Sequence, residues 1–362
     1  MISIAKPLIG EEEKSAVMRV LESGMLASGP RTEEFEKKFA EYVGTKYAIA
    51  TTSGTTALHL GLLSLGVTHG DEVILPSFSF IATANVALFC DAVPVFCDVD
   101  PKTFNIDPEK IEARVTKKTK AIMPVHLYGQ AVDVQPIQEI AEKYGIYVIG
   151  DACQAHGASY DGKMVGSFGD IECFSFYPTK NMTTGEGGMV TTNNEKFAEL
   201  MMSLRNHGRE KTKWGYEHGR LGYNYRMTDI AAAIGLEQLK KLPKNVEMRQ
   251  KNAQYFNTHF DSVEIPYVIP KAKHAYHQYT VKSKNRDALT QNLKKNEIGF
   301  GIYYPQPLHS YKHLKKYGHK DLKISETLGN EVVSLPVHPG LTKEELEKVV
   351  EVINKAYQYP DK

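Results

Sequence analysis

Lys180 lies in FSFYPTKNMTTGEGGM (174–189), where an apolar run gives way to proline, hydroxyl side chains and glycines. Held in such a loop, a lysine loses water and meets cationic neighbours, which lowers its pKa. Only the neutral amine attacks a carbonyl to form a Schiff base. A solvated loop lysine is the alternative. Ser175, at the end of the preceding run, is positioned to give its hydroxyl to a phosphate. Asp151 closes another apolar run, YVIG at 147–150. A carboxylate at the end of a buried strand is costly unless a cation meets it, and a protonated pyridine nitrogen is such a cation. A helix cap or a structural ion pair would use the same aspartate. Gln154, three residues on, can reach the phenolic oxygen of the same ring.

Two further segments follow the same plan. In TTSGTTA (51–57), Gly54 lets the backbone approach closely, Ser53 or Thr55 caps a helix, and the free N–H groups of the helix start favour a phosphate. A plain N-cap reads the same way. In PSFSFIAT (76–83), an aromatic after the strand end can stack on a pyridine ring, a contact worth roughly 0.5–1.5 kcal/mol beyond its buried area. Core packing is the other use of an aromatic there, and Phe78 suits it. Together the four segments suit pyridoxal phosphate (PLP).

Competing motifs are weaker. GASYDGK (157–163) has the first seven positions of a phosphate-binding P-loop, but Met164 stands where Ser or Thr must hold magnesium, and Asp161–Gly162 reads as a hairpin turn. GxGxxG, HExxH and GxSxG are absent. Thirteen histidines show no metal-ligand spacing with Cys or carboxylate, so no metal site is expected. Cys90, Cys97, Cys153 and Cys173 read as buried free thiols. With 44 Lys+Arg against 43 Asp+Glu, no global field gathers nucleic acid or an anionic membrane. No run reaches membrane-spanning length and the N-terminus lacks a cleavable leader, so a cytoplasmic protein is expected.

The elements that must position these residues alternate in type. Strands are expected at 46–51, 72–75, 93–98, 121–126, 147–150, 171–176 and 188–192, with helices at about 55–65, 82–89, 107–115, 134–144 and 195–206. This predicts an α/β fold with a mostly parallel sheet flanked by helices, whose ligands bind beyond the carboxyl ends of the strands. A long helical stretch from Thr228, with a break near Pro243, reads as a connector. The expected division is a large α/β domain at 1–245, with an N-terminal arm, and a smaller α+β domain at 246–362 carrying strands near 278–281 and 300–304 and a terminal helix from Lys343.

Taken in order, SGMLASGP (23–30), SGTTALHLGL (53–62), GDEVILPSFSFIATANV (70–86), PVHLYGQ (124–130), GDACQAHGA (150–158), FSFYPTKNMTTGEGGMV (174–190), LRNHGR (204–209), LGYNYRMTDIAAAIG (221–235), HAYHQYTV (274–281) and YPQPLH (304–309) resemble the DegT/DnrJ/EryC1/StrS sugar aminotransferases. Those are fold-type-I PLP enzymes. The resemblance implies that Lys180 is the Schiff-base lysine, that Asp151 pairs with the pyridine nitrogen, and that Phe80 stacks on the ring. It implies that Gln154 contacts the ring oxygen and that Gly54, Thr55 and Ser175 hold the phosphate. Asn224 would reach the phosphate of a second subunit, so a homodimer with shared active sites is implied.

The implied activity cycles PLP with its aminated form, PMP. It moves nitrogen from L-glutamate to a keto group of a nucleotide-linked deoxysugar, at C4 rather than C3 by the likeness of 183–189. Arg226, Tyr304, His309 and the backbone of 27–29 are candidates to meet that substrate, or else surface and interface residues. A dehydratase or regulatory protein of the same fold is the alternative; such dehydratases carry His where this chain has Lys180. Tyr177 stands where many members have His.

Overall fold

The computed structural model describes residues 1–355. Helices α1 (Glu11–Ser23) and α2 (Pro30–Val43) precede strand β1 (Tyr47–Thr51), and α3 (Gly54–Ser64) leads to β2 (Glu72–Pro76). Next come α4 (Ile81–Phe89), β3 (Val93–Cys97), α5 (Pro108–Ile111), β4 (Thr119–Ile122), α6 (Val134–Tyr144) and β5 (Tyr147–Asp151). A small hairpin of β6 (Ser159–Tyr160) and β7 (Lys163–Met164) separates β5 from β8 (Ile171–Ser175), which is followed by β9 (Gly188–Thr192) and α7 (Glu195–Leu204). The hairpin turns on Asp161 and Gly162 at φ 49° and 77°, the left-handed pair of a two-residue turn, so the P-loop-like stretch folds as a hairpin.

The central sheet has the order β1-β9-β8-β5-β4-β2-β3. All its pairings are parallel except those of β9, which runs antiparallel to both β1 and β8. Helices cover both faces, and the carboxyl ends of β1, β5 and β8 open on one edge. Phe35 and Phe39 of α2 pack edge-on and tilted against Phe174 and Phe176 at centroid distances of 5.0–5.6 Å. Each such buried side chain contributes about 1.5–3 kcal/mol, and the cluster anchors the end of β8 that carries the lysine loop.

Several expected elements differ. β4 stops at Ile122 and continues only as a bridge between Val125 and Asp151. The helix expected at 107–115 is α5 followed by a 3-10 turn, Glu112–Arg114. Near 300–304 there is no strand, only a bridge between Gly301 and Ser334. The break expected at Pro243 does not occur: α8 (Asp229–His259) runs straight through it. Proline costs a helix interior about 3 kcal/mol. Here Leu236, Leu239, Leu242, Val246, Ala253 and Phe256 are all buried, and that apolar face carries the helix through.

The remaining chain forms β10 (Arg209–Thr212) and β11 (Gly215–His218), an exposed hairpin before α8, then β12 (Ala272–Lys273) and β13 (Tyr279–Lys282). It ends with α9 (Arg286–Lys295), α10 (Lys323–Glu331), β14 (Val332–Leu335) and α11 (Lys343–Lys355). Ala253 and Phe256 of α8 join a core with Tyr279, Leu289, Val333 and Val349. The first half of α8 packs against α1 and α2, so the expected boundary at 245/246 falls inside one continuous helix. Residues 356–362 of the expected second domain lie outside the described residues.

Candidate active site

The turn from β1 into α3 is where the chain comes closest to itself. Ser53 caps α3: its Oγ accepts from Thr56 N at 3.2 Å, while Thr56 Oγ1 accepts from Ser53 N at 2.9 Å. Ala57 N bonds Ser53 O, and among the described residues no acceptor meets the N–H of Gly54 or Thr55. Those two donors, at the positive end of the helix, are what a phosphate requires. A Cβ at Gly54 would lie 2.6 Å from Ser175 Cβ and 2.8 Å from Cys153 Sγ, and one at Gly188 would lie 2.2 Å from Ser53 O. Glycine is therefore required for the three strand ends to converge. Ser175 Oγ accepts only a long bond from Tyr177 N, 3.4 Å, so its proton remains to be donated.

Asp151 is 5% exposed at the end of β5. Its Oδ2 accepts from Thr83 Oγ1 at 2.8 Å and its Oδ1 from Cys153 N at 3.2 Å. Its backbone is pinned by Pro124 O and His126 N at 2.8 and 3.0 Å. Among the described residues, no lysine or arginine forms an ion pair with it. Gln154 is oriented at both ends of its amide, Oε1 accepting from Tyr128 N at 2.9 Å and Nε2 donating to Tyr304 Oη at 2.8 Å. Tyr304 is buried, stacked 5.9 Å from Tyr128 and edge-on to Phe78 at 5.5 Å.

Lys180 is half-buried, and burial lowers its pKa against the opposing pull of Cys153 and Asp151. Its loop is fastened on both sides. Thr183 Oγ1 and Thr184 N both bond Phe176 O, at 2.7 and 3.0 Å, and Asn181 Nδ2 bonds His156 O and Ala275 O at 3.2 and 3.1 Å. His156 packs against Phe174 and Phe176 with both ring nitrogens unpartnered, and burial followed by the nearby Lys180 charge holds its pKa down to about 3. Phe80, 55% exposed, caps α4 with its ring free, whereas Phe78 is buried.

Lys180, Asp151, Gln154, Ser53, Gly54, Thr55 and Ser175 thus converge on one sheet edge, and Tyr304 joins them through Gln154. Thr83 and Tyr128 belong to the same cluster although no sequence motif singled them out. Thr83 lies four residues after Ser79 and, its own proton being given to Asp151, accepts from Ser79 Oγ at 3.0 Å, an i,i+4 polar pair on a helix start that is visible in the sequence.

Other expected residues stand apart. His309 is held by Ser77 Oγ at 2.6 Å and Glu326 at 3.3 Å, behind the end of β2. Arg226 donates to Asn206 at 2.8 Å, and exposed Asn224 forms a backbone bridge to the same residue. The 27–29 backbone is committed to the start of α8, with Asp229 accepting from Gly29 N at 2.8 Å and donating its own N–H to Ala27 O at 3.1 Å.

A buried unpaired carboxylate, a partly desolvated lysine and two free helix N–H groups, gathered on a mostly parallel sheet, fit PLP and define a PLP-dependent transferase. The comparisons agree. A profile of the DegT/DnrJ/EryC1/StrS aminotransferase family matches residues 7–354. The chain is 41% identical to the GDP-perosamine synthase of Caulobacter vibrioides, over 98% of each chain. It is 42% identical to the dTDP-3-amino-3,6-dideoxy-alpha-D-galactopyranose transaminase of Aneurinibacillus thermoaerophilus, over 95% of each. In structure it resembles the putative sugar aminotransferase Spr1654 from Streptococcus pneumoniae in its PMP form, with a TM-score of 0.95, 28% identity and 99% of both chains covered. This protein belongs to the DegT/DnrJ/EryC1/StrS aminotransferase family and uses PLP as its cofactor.

Proposed function

We propose that this aminotransferase moves nitrogen from L-glutamate to a keto carbon of a nucleotide-linked deoxysugar, at C4 in preference to C3. It works as a cytoplasmic homodimer whose active sites are completed by Asn224 of the second copy. The single observation that carries the catalytic reading is the pairing of a depressed-pKa Lys180 with an unpaired buried Asp151 on one strand edge. When bound, PLP supplies an electrophilic carbon for amines and a ring that takes up electrons while its nitrogen stays protonated.

The side chains divide the remaining work. Gly54 N, Thr55 N and Ser175 Oγ grip the phosphate and fix the cofactor's position. Asp151, oriented by Thr83, keeps the proton on the ring nitrogen. Phe80 covers one ring face. Lys180, whose charged form burial disfavours, would bind the cofactor; once displaced by the donor, it would carry a proton from the donor's α-carbon to the cofactor's C4′, and in the reverse direction for the sugar. Gln154, fixed by Tyr128 and Tyr304, holds the phenolic oxygen. Arg226 is assigned to the sugar nucleotide's phosphates from the partner side.

Support for C4 comes from the 183–189 stretch. The relative named for a 3-amino sugar, at 42% identity, is as similar as the perosamine synthase at 41%, so both positions belong in one assay. Purified protein with PLP should be yellow, glutamate should bleach it, and Lys180→Ala should abolish both. Mass spectrometry of products from 3-keto and 4-keto nucleotide sugars then reads the position; a product from the 3-keto sugar alone overturns the C4 assignment. For the shared site, mixing inactive Lys180→Ala and Asn224→Ala subunits should restore activity, and failure to do so overturns it.

A further inference from the structure

A narrow cleft beside the lysine loop is lined by Lys6, Lys180, Asn181, Thr183, Asn245 and Arg249, and no Asp or Glu is among its described lining residues. Arg249, on α8, is 5% exposed. Its Nη1 donates to Tyr276 O at 3.1 Å and His277 O at 3.2 Å, which fixes the plane of the guanidinium. Tyr276 has φ 45°, so those two bonds also hold a left-handed residue in place. Nε is buried with no partner, and no described residue takes a bond from Nη2. The free Nε–Nη2 edge is the one that grips a carboxylate through two parallel bonds. Burial alone pulls the pKa down, to about 10, and no acidic neighbour offsets it, so a charged guanidinium remains at neutral pH without a counter-ion.

A buried cation with an orphaned donor edge is expensive unless something occupies that edge. The histidines whose pKa the Arg249 charge lowers, His277 and His338, do not provide it, since burial lowers both and disfavours any charge on them. We propose that the Nε–Nη2 edge of Arg249 receives a carboxylate of the amino-acid donor, so that the donor is seated between Arg249 and Lys180 while the keto sugar, which has no carboxylate, makes no use of it. This inference rests on the transamination reading above and adds the residue that selects the donor.

The test separates the two half-reactions of the holoenzyme. Arg249→Met removes the cation. Arg249→Lys keeps a cation able to reach the Tyr276 and His277 carbonyls but loses the two-donor edge. In both, the glutamate concentration for half-maximal bleaching should rise at least about tenfold. Reaction of the aminated holoenzyme with keto sugar should stay within about twofold of wild type. Glutarate, which carries the carboxylates without the amine, should raise the melting temperature of the wild-type holoenzyme but not of Arg249→Met. Equal losses in both half-reactions together with a lowered melting temperature would make Arg249 a strut for the 276–277 turn and overturn the assignment, as would an unchanged glutamate dependence in Arg249→Lys. A wild-type holoenzyme that no amino acid bleaches would overturn the transamination reading itself, and this inference with it.

Discussion

Asp151 and Asp229 are equally buried, at 5% and 2% exposed, and they do opposite things. Asp229 collects donors until none is missing: Gly29 N, Arg31 N, Thr32 N and Thr32 Oγ1, at 2.7–3.1 Å. Gly29 has no side chain with which to cap α2, and Asp229 caps it from 200 residues away. Asp151 accepts only one hydroxyl and one amide, from Thr83 and Cys153. A saturated buried carboxylate stabilises the fold, whereas an unsaturated one on a strand end has lone pairs left for a ligand.

Substitutions should separate the two. Asp151→Asn should cut turnover about 100-fold or more while leaving the unfolding midpoint near wild type, read by steady-state rates and denaturant melts. Asp229→Ala should do the reverse, lowering stability by about 2–4 kcal/mol with activity per folded molecule retained, because four donors at a helix start lose their acceptor. If both aspartates lowered stability alike, the contrast would fail. Gly54→Ala sharpens it from the other side: the new Cβ meets Ser175 and Cys153, so PLP affinity measured by titration should weaken about tenfold. Tyr304→Phe removes the hydroxyl that accepts from Gln154, costing about 1 kcal/mol and a severalfold fall in kcat. The last effect is a displacement of a curve. The lysine is held below the usual 10.5, so capture of PLP by the apoprotein should slow as pH falls through a midpoint lower than that value, followed by stopped-flow absorbance. A midpoint at or above 10.5 would contradict a desolvated Lys180.

Much of this was legible in the chain because strand ends carry their own punctuation. Asp151, Ser175 and Gly54 each end or follow an apolar run, and the run is the strand. Harder to read was anything decided between distant segments. Thr83 matters because α4 starts beside β5, and no local pattern announces that Asp151 lies 68 residues away in sequence. His309 reads in the sequence as a candidate for substrate contact, and its bond to Ser77, made from the 3-10 turn Leu308–Ser310, is visible only in the fold. Pro243 misled for a related reason: proline's local cost is visible in sequence, whereas the burial that outweighs it depends on α1, α2 and the C-terminal core packing along one helix. The reversal of β9 was also invisible, since a fully buried strand shows the same apolar run in either direction.

That reversal governs how far the lysine can travel. Because β9 runs against β8, Ser175 and Gly188 are direct partners across the ladder, and the residues between them form a closed loop that leaves and rejoins the sheet at one rung. A parallel β9 would have needed a crossover, so the segment carrying the lysine would have left the sheet at one edge and rejoined it at the opposite one. The backbone here is held like a clasp, by the Ser175–Gly188 rung and by the bonds of Asn181, Thr183 and Thr184, and the four-carbon stem of Lys180 extends from it. In the proposed role of Lys180 as proton carrier, the reach of the transfer is the length of one side chain.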